Sequence, residues 1–222
     1  MFPLRDVIPS RTTPYITVTL IILNALAWFY ELALPRDVLP VFLQVYGVVP
    51  ADFSPPTLIS SMFLHGSWMH VIGNMWWLWI FGDNVEDRLG HGRYVVFYLL
   101  CGIVAALGQI AIDPYSTLPT IGASGAIAGV MGAYIVLYPH SRVLTLVPIF
   151  FYIEIIELPA VLLLGIWFVM QLFSAGTVAV TSSSGGGGGG GVAFMAHVAG
   201  FVVGMAAVIV LRKRDRPDLW AA

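Results

Sequence analysis

The chain sets a lone serine among small residues, Gly122-Ala123-Ser124-Gly125-Ala126, and a lone histidine in Ala196-His197-Val198-Ala199-Gly200. A serine hydroxyl is a weak nucleophile until a neutral imidazole within hydrogen-bond reach takes its proton. Ser124 as nucleophile and His197 as general base is the chemistry these residue types allow. A third stretch, from His65 through His70 to Asn74, puts His70 and Asn74 four apart, on one face of a helix. Acyl transfer needs donors for the charge that develops on the attacked carbonyl oxygen. A histidine N–H, an asparagine amide and the Ser124 backbone N–H would supply them.

Plainer readings compete. Ser124 stands where a helix begins, and a serine there commonly caps the first turn. His197 could be a structural hydrogen-bonder, although an ionisable group inside a membrane is functional by default. Three histidines raise the possibility of zinc, but no acidic residue is placed to complete a hydrolytic site and no HExxH motif occurs, so neither metal nor cofactor is expected. No carboxylate matches the depth of His197: Asp52 and Asp113 fall in outer loops, and Glu86, Glu154 and Glu157 lie near the other face. A dyad is expected, not a triad. Trp76, Trp77 and Trp79 are read as packing and lipid contact.

The elements that must position these groups are membrane helices. Of 222 residues, 59% are hydrophobic and 10% charged, with a mean hydropathy of +0.88. A soluble domain so composed would expose too much apolar surface, so a polytopic, all-α membrane protein is expected. The formal charge of −2 offers nothing to nucleic acid, and the single Cys101 excludes an internal disulfide. Six apolar segments emerge, at 15–34, 68–81, 94–112, 123–138, 158–175 and 192–211. With the N-terminus inside, nine of the ten basic residues fall on the cytoplasmic side and only Arg36 outside, which places both termini in the cytoplasm.

Ser124 and His197 each precede the cytoplasmic end of their segment by fifteen residues, about 22 Å, and His70 by thirteen, about 20 Å. In a hydrocarbon core of about 30 Å, all three reach one depth, some 8–10 Å below the outer surface. The fourth segment is too short for a full span, so its N-terminus ends within the membrane. The irregular stretch 113–122 before it must line a wet, outward-opening cavity. Gly125-xxx-Gly129 and Gly200-xxx-Gly204 are small-residue ridges that let the fourth and sixth segments approach closely, bringing serine to histidine.

Residues 1–14 read as a cytoplasmic lead-in without a removable signal, and 15–211 as the membrane domain. Within it lie a long outer loop at 35–67 and a glycine-rich outer loop at 182–191. Residues 212–222 form a basic tail. The glycine run reads either as a slack tether or as a tolerated insertion.

These motifs resemble the rhomboid family of intramembrane serine proteases. The resemblance rests on His65-x4-His70-x3-Asn74, Gly82-x2-Val85-Glu86-x-Arg88-Leu89-Gly90, Gly122-Ala123-Ser124-Gly125 and Ala196-His197-x2-Gly200, in that order. It implies a six-helix bundle with a short central fourth helix, and hydrolysis of peptide bonds in transmembrane substrates, typically single-span proteins; the compact length and lack of extra domains point to a bacterial plasma membrane. It also implies Ser124 as nucleophile, His197 as base, His70 and Asn74 in the oxyanion hole and a structural role for His65. One departure stands out: many bacterial members carry an aromatic residue four after the serine, and this chain has Ala128. The rival reading is a catalytically silent scaffold that binds transmembrane helices.

Overall fold

A computed structural model describes residues 2–149, 152–183 and 193–213. Its elements, in chain order, are β1 (Phe2–Asp6), α1 (Tyr15–Ala33), α2 (Leu39–Tyr46), α3 (Thr57–Ser60), α4 (Trp68–Leu89), α5 (His91–Ile112) and α6 (Ser124–Leu137). After these come β2 (Arg142–Ile149), β3 (Tyr152–Pro159), α7 (Ala160–Ser183) and α8 (Phe194–Leu211). The architecture is mainly helical. α1, α5 and α8 are each long and apolar enough to cross a membrane, while α6 and Ala160–Ala175 are shorter apolar helices.

α6 is the central element: every residue from Gly125 to Tyr134 is buried. It is 14 residues long, about 21 Å. Its main neighbours are α8 and α5. A Cβ on Gly200 would drive into the carbonyl oxygen of Gly125, and one on Gly204 into that of Gly129. Only glycine permits the two backbones to lie this close, and close backbones are what dispersion and weak polar contacts need where lipid removes the hydrophobic drive between helices.

Four features go beyond the helical plan. The lead-in 1–14 is not a plain tail: β1 joins an antiparallel sheet of order β1-β2-β3, and the Trp76 indole donates to the Pro3 carbonyl at 2.6 Å. The connection after the fourth segment is the β2–β3 pair, in which the aromatic Tyr152 and β-branched Ile153, Ile155 and Ile156 suit a strand. The second segment does not end at Phe81. α4 continues through Asp83, Glu86 and Arg88 to Leu89, because Glu86 finds buried partners that outweigh its cost, and Gly90 at φ +79° then turns the chain into α5. Loop 35–67 carries α2, α3 and two 3₁₀ turns, Pro50–Asp52 and Ser61–Phe63. Of the glycine-rich loop, Ser182 and Ser183 belong to α7 and 184–191 lies outside the described residues, as does the tail beyond Lys213.

Candidate active site

Ser124 opens α6, but it does not cap it. Ala123 holds the cap position with no side-chain hydrogen bond, so the hydroxyl is free for other work. That hydroxyl lies 2.7 Å from His197 Nε2. His197 sits in the first turn of α8, 7% exposed, and the glycine seam between α6 and α8 brings the two together.

The second nitrogen of His197 is also engaged. Its Nδ1 lies 2.7 Å from Gln171 Oε1 on α7, and the Trp167 ring, one turn earlier on the same helix, stands 5.7 Å from the imidazole centroid at an interplanar angle of 37°. An amide oxygen accepts only, so the contact puts the proton on Nδ1 and leaves Nε2 as an acceptor for the serine O–H. The site contains a Ser124–His197–Gln171 chain, with no carboxylate in it.

α4 supplies the opposite wall. Ser67 caps the helix, its Oγ accepting from the His70 N–H at 3.2 Å, which anchors the turn that carries His70. His70 Nδ1 accepts from the Gly66 N–H at 3.4 Å, so its Nε2 carries the proton. Asn74, one turn on, donates from Nδ2 to His65 Nε2 at 3.0 Å. His65 in turn donates from Nδ1 to the Phe63 carbonyl at 3.3 Å, and its own backbone N–H is held by the Glu31 carboxylate at 3.2 and 3.3 Å. His65 is 1% exposed and faces no open space, whereas His70 and Asn74 line the cavity.

Gly122 joins the two walls. Its φ of +123° is one that side-chain-bearing residues rarely adopt, and a Cβ there would come within 2.7 Å of His70 Nε2 and 3.7 Å of Asn74 Nδ2. The missing side chain leaves a niche beside the first N–H groups of α6, which have no partner within the helix. Around it lies a cavity of about 880 Å³ lined by Ser124, His197, His70, Asn74, Trp77 and Trp167 among others. The structure brings together Ser124, His197, His70, Asn74 and Gly122 around one space, with Gly125 and Gly200 in the seam behind it and His65 supporting Asn74. Among the described residues no group of three or more His, Cys, Asp or Glu could hold a metal ion.

Sequence reading missed Gln171 and Trp167. A signal for Gln171 was present: it is the only side-chain amide in the apolar run from Ala160 to Ala175, and polar groups at membrane depth call for a role. What the linear sequence lacked was α7's rotation, which decides whether that amide faces lipid or His197.

A family model described as Rhomboid domain matches residues 54–214, well over half of the chain. Among curated proteins, the mitochondrial Rhomboid protein 1 of Saccharomyces cerevisiae is 33% identical over 112 residues, 48% of this chain and 32% of the yeast protein. Rhomboid protease GluP of Bacillus subtilis is 35% identical over 85 residues, 38% of this chain and 16% of that protein. Putative rhomboid protease YdcA, also of Bacillus subtilis, is 28% identical over 128 residues, 56% of this chain and 63% of its own length. The chain therefore spans less than two thirds of each of these relatives.

Proposed function

The chain belongs to the rhomboid family of membrane-embedded proteins, and from that premise we propose that it is an intramembrane serine endopeptidase. The family holds serine proteases and inactive members alike, so the reading turns on the site. The observation that carries it is the 2.7 Å contact between Ser124 Oγ and His197 Nε2, made inside the cavity that His70 and Asn74 also line.

Ser124 Oγ attacks the carbonyl carbon of a substrate peptide bond while His197 Nε2 takes its proton. The negative oxygen of the tetrahedral intermediate enters the niche at Gly122, where the His70 Nε2–H, an Asn74 amide proton and the Ser124 N–H stabilise it. As the C–N bond breaks, His197 returns the proton to the leaving amine. A cavity water, deprotonated by the same histidine, then attacks the acyl-enzyme and releases Ser124. Substrates are transmembrane proteins, single-span ones first, entering laterally between α4 and α7. The bundle crosses a bacterial plasma membrane six times, with both termini cytoplasmic and the cavity opening to the outer face. The bias of nine basic residues out of ten toward one side supports that orientation.

The test is cleavage of a single-span reporter by the purified protein in phospholipid vesicles, set beside Ser124→Ala and His197→Ala. Turnover by the unaltered chain alone supports the mechanism, and turnover surviving in Ser124→Ala rules it out. A folded wild type that binds the reporter without cutting it would instead mark a silent scaffold.

A further inference from the structure

We infer that Gln171 is a positioning residue for the proposed hydrolysis, holding His197 in its base-competent tautomer from α7. This rests on the serine protease reading and adds a third member to it. The residue four after the serine is Ala128, so α6 presents no ring against which the imidazole could pack. The imidazole is instead held from α7, through Gln171 at its Nδ1 and Trp167 beside its ring.

Both partners in the Gln171–His197 contact are secluded, at 9% and 7% exposure, so water competes poorly for either. In such surroundings an unmade hydrogen bond is costly, and the amide and imidazole settle each other's orientation. With Oε1 toward Nδ1, Nε2 keeps its lone pair for the Ser124 proton. With the amide reversed, Nε2 would carry the proton, and the dyad would have no base. A carboxylate at this place would orient the ring equally well, but it would bring a charge into an apolar bundle at heavy desolvation cost. A glutamine orients without charge. Nucleophile, base and orienting group thus come from three helices, α6, α8 and α7, and a displacement of α7 would release the imidazole.

The test uses the full chain in phospholipid vesicles. Gln171→Leu, similar in size and apolar, is expected to lower kcat by about 10- to 100-fold while KM stays within about twofold. Labelling of Ser124 by a fluorophosphonate should slow in parallel. Gln171→Glu should restore most of the turnover, because a carboxyl oxygen can also accept from Nδ1. In ¹⁵N-histidine-labelled protein, His197 should show a one-bond N–H coupling at Nδ1, and a mixture of tautomers in Gln171→Leu. Unchanged kcat together with a retained Nδ1–H tautomer in Gln171→Leu would overturn the inference. A wild type inert to both reporter and fluorophosphonate would overturn the protease reading, and the tautomer spectrum would still decide whether Gln171 orients the ring.

Discussion

Two polar clusters sit at opposite ends of the same apolar bundle, and they are built on opposite principles. At the far end of α4, Glu86 is fully buried and its carboxylate accepts from the Ile16 and Thr17 N–H groups at 2.9 and 2.8 Å, the Thr17 hydroxyl at 2.7 Å and His91 Nδ1 at 2.6 Å. Asp87 beside it accepts from the N–H of Arg11 and from the N–H and hydroxyl of Thr12. Glu86 caps the start of α1, pairing the Ile16 and Thr17 N–H groups and favouring the positive dipole end, while Asp87 ties down the chain just before the helix. At the near end of α4 the polar groups are Ser124, His197, Gln171, His70 and Asn74, with no carboxylate among them, and several of their donors face open space. A saturated network holds helices together. An unsaturated one, kept in place by saturated neighbours such as His65, is what can receive a substrate.

The largest effect expected from that contrast is in turnover. Ser124→Ala or His197→Ala should cut kcat by roughly 10⁴-fold or more, with thermal unfolding near that of the unaltered protein. Loss of thermal stability comparable to that of a core mutant would put Ser124 on the structural side of the comparison. His70→Ala removes one of three donors around the Gly122 niche, so kcat should fall about 100-fold. Its KM should change little, since the niche is filled only when charge develops. A change confined to KM would assign His70 to substrate binding.

Much of this contrast was legible in the sequence, and the reasons are local. Ser124, His197, His70 and Asn74 are polar groups in apolar segments, and counting residues along each helix gives the first three one depth, with Asn74 one turn further on. The GxxxG spacings in the fourth and sixth segments point to a close seam, and Gly200 and Gly204 do abut Gly125 and Gly129. Gln171 was harder, because its partner depends on the rotation of α7, which periodicity cannot supply in a helix that is apolar nearly all round. The sheet was hidden for another reason. β1 is a five-residue strand that means nothing until β2 arrives some 140 residues later to pair with it, β3 pairing in turn with β2. Asp83, Glu86, Asp87 and Arg88 read as cytoplasmic turn contacts and caps, and Glu86 does cap α1, but from within α4, whose run to Leu89 shows only once its tertiary partners are in place.

Glu86 carries the next prediction. Glu86→Ala leaves two helix-start N–H groups and the fully buried Thr17 hydroxyl without their acceptor, whereas His91, 44% exposed, can turn to water. The expected cost is about 2–4 kcal/mol of stability, seen as a lower unfolding temperature in detergent. The fraction still folded should keep the Ser124 fluorophosphonate labelling rate. If labelling falls in step while the folded fraction holds, the two ends communicate and the division drawn between them is wrong.

The smallest effect belongs to the strand that joins this end of the bundle. Asp6 on β1 accepts from the Tyr134 hydroxyl at 2.6 Å and from Asn84 Nδ2 at 3.0 Å. Burial raises its carboxyl to about 6, the Tyr134 hydrogen bond draws it back in part, and nearby Asp83 adds to the rise. The folded protein therefore binds this proton more tightly than the unfolded chain does. The stability it contributes is fully present below about pH 4, where Asp6 is protonated in both states, and is lost as pH climbs through about 6. Because the group is part-exposed, solvent screening reduces the effect to about 1 kcal/mol. Asp6→Asn retains an oxygen for Tyr134 but cannot ionise, so its unfolding temperature should lack this component of the slope between pH 4 and 6, and should equal or slightly exceed the wild type at pH 7. Taking the difference between the two proteins at each pH cancels every other titrating group. A flat difference curve would mean that burial does not raise the Asp6 carboxyl in the fold.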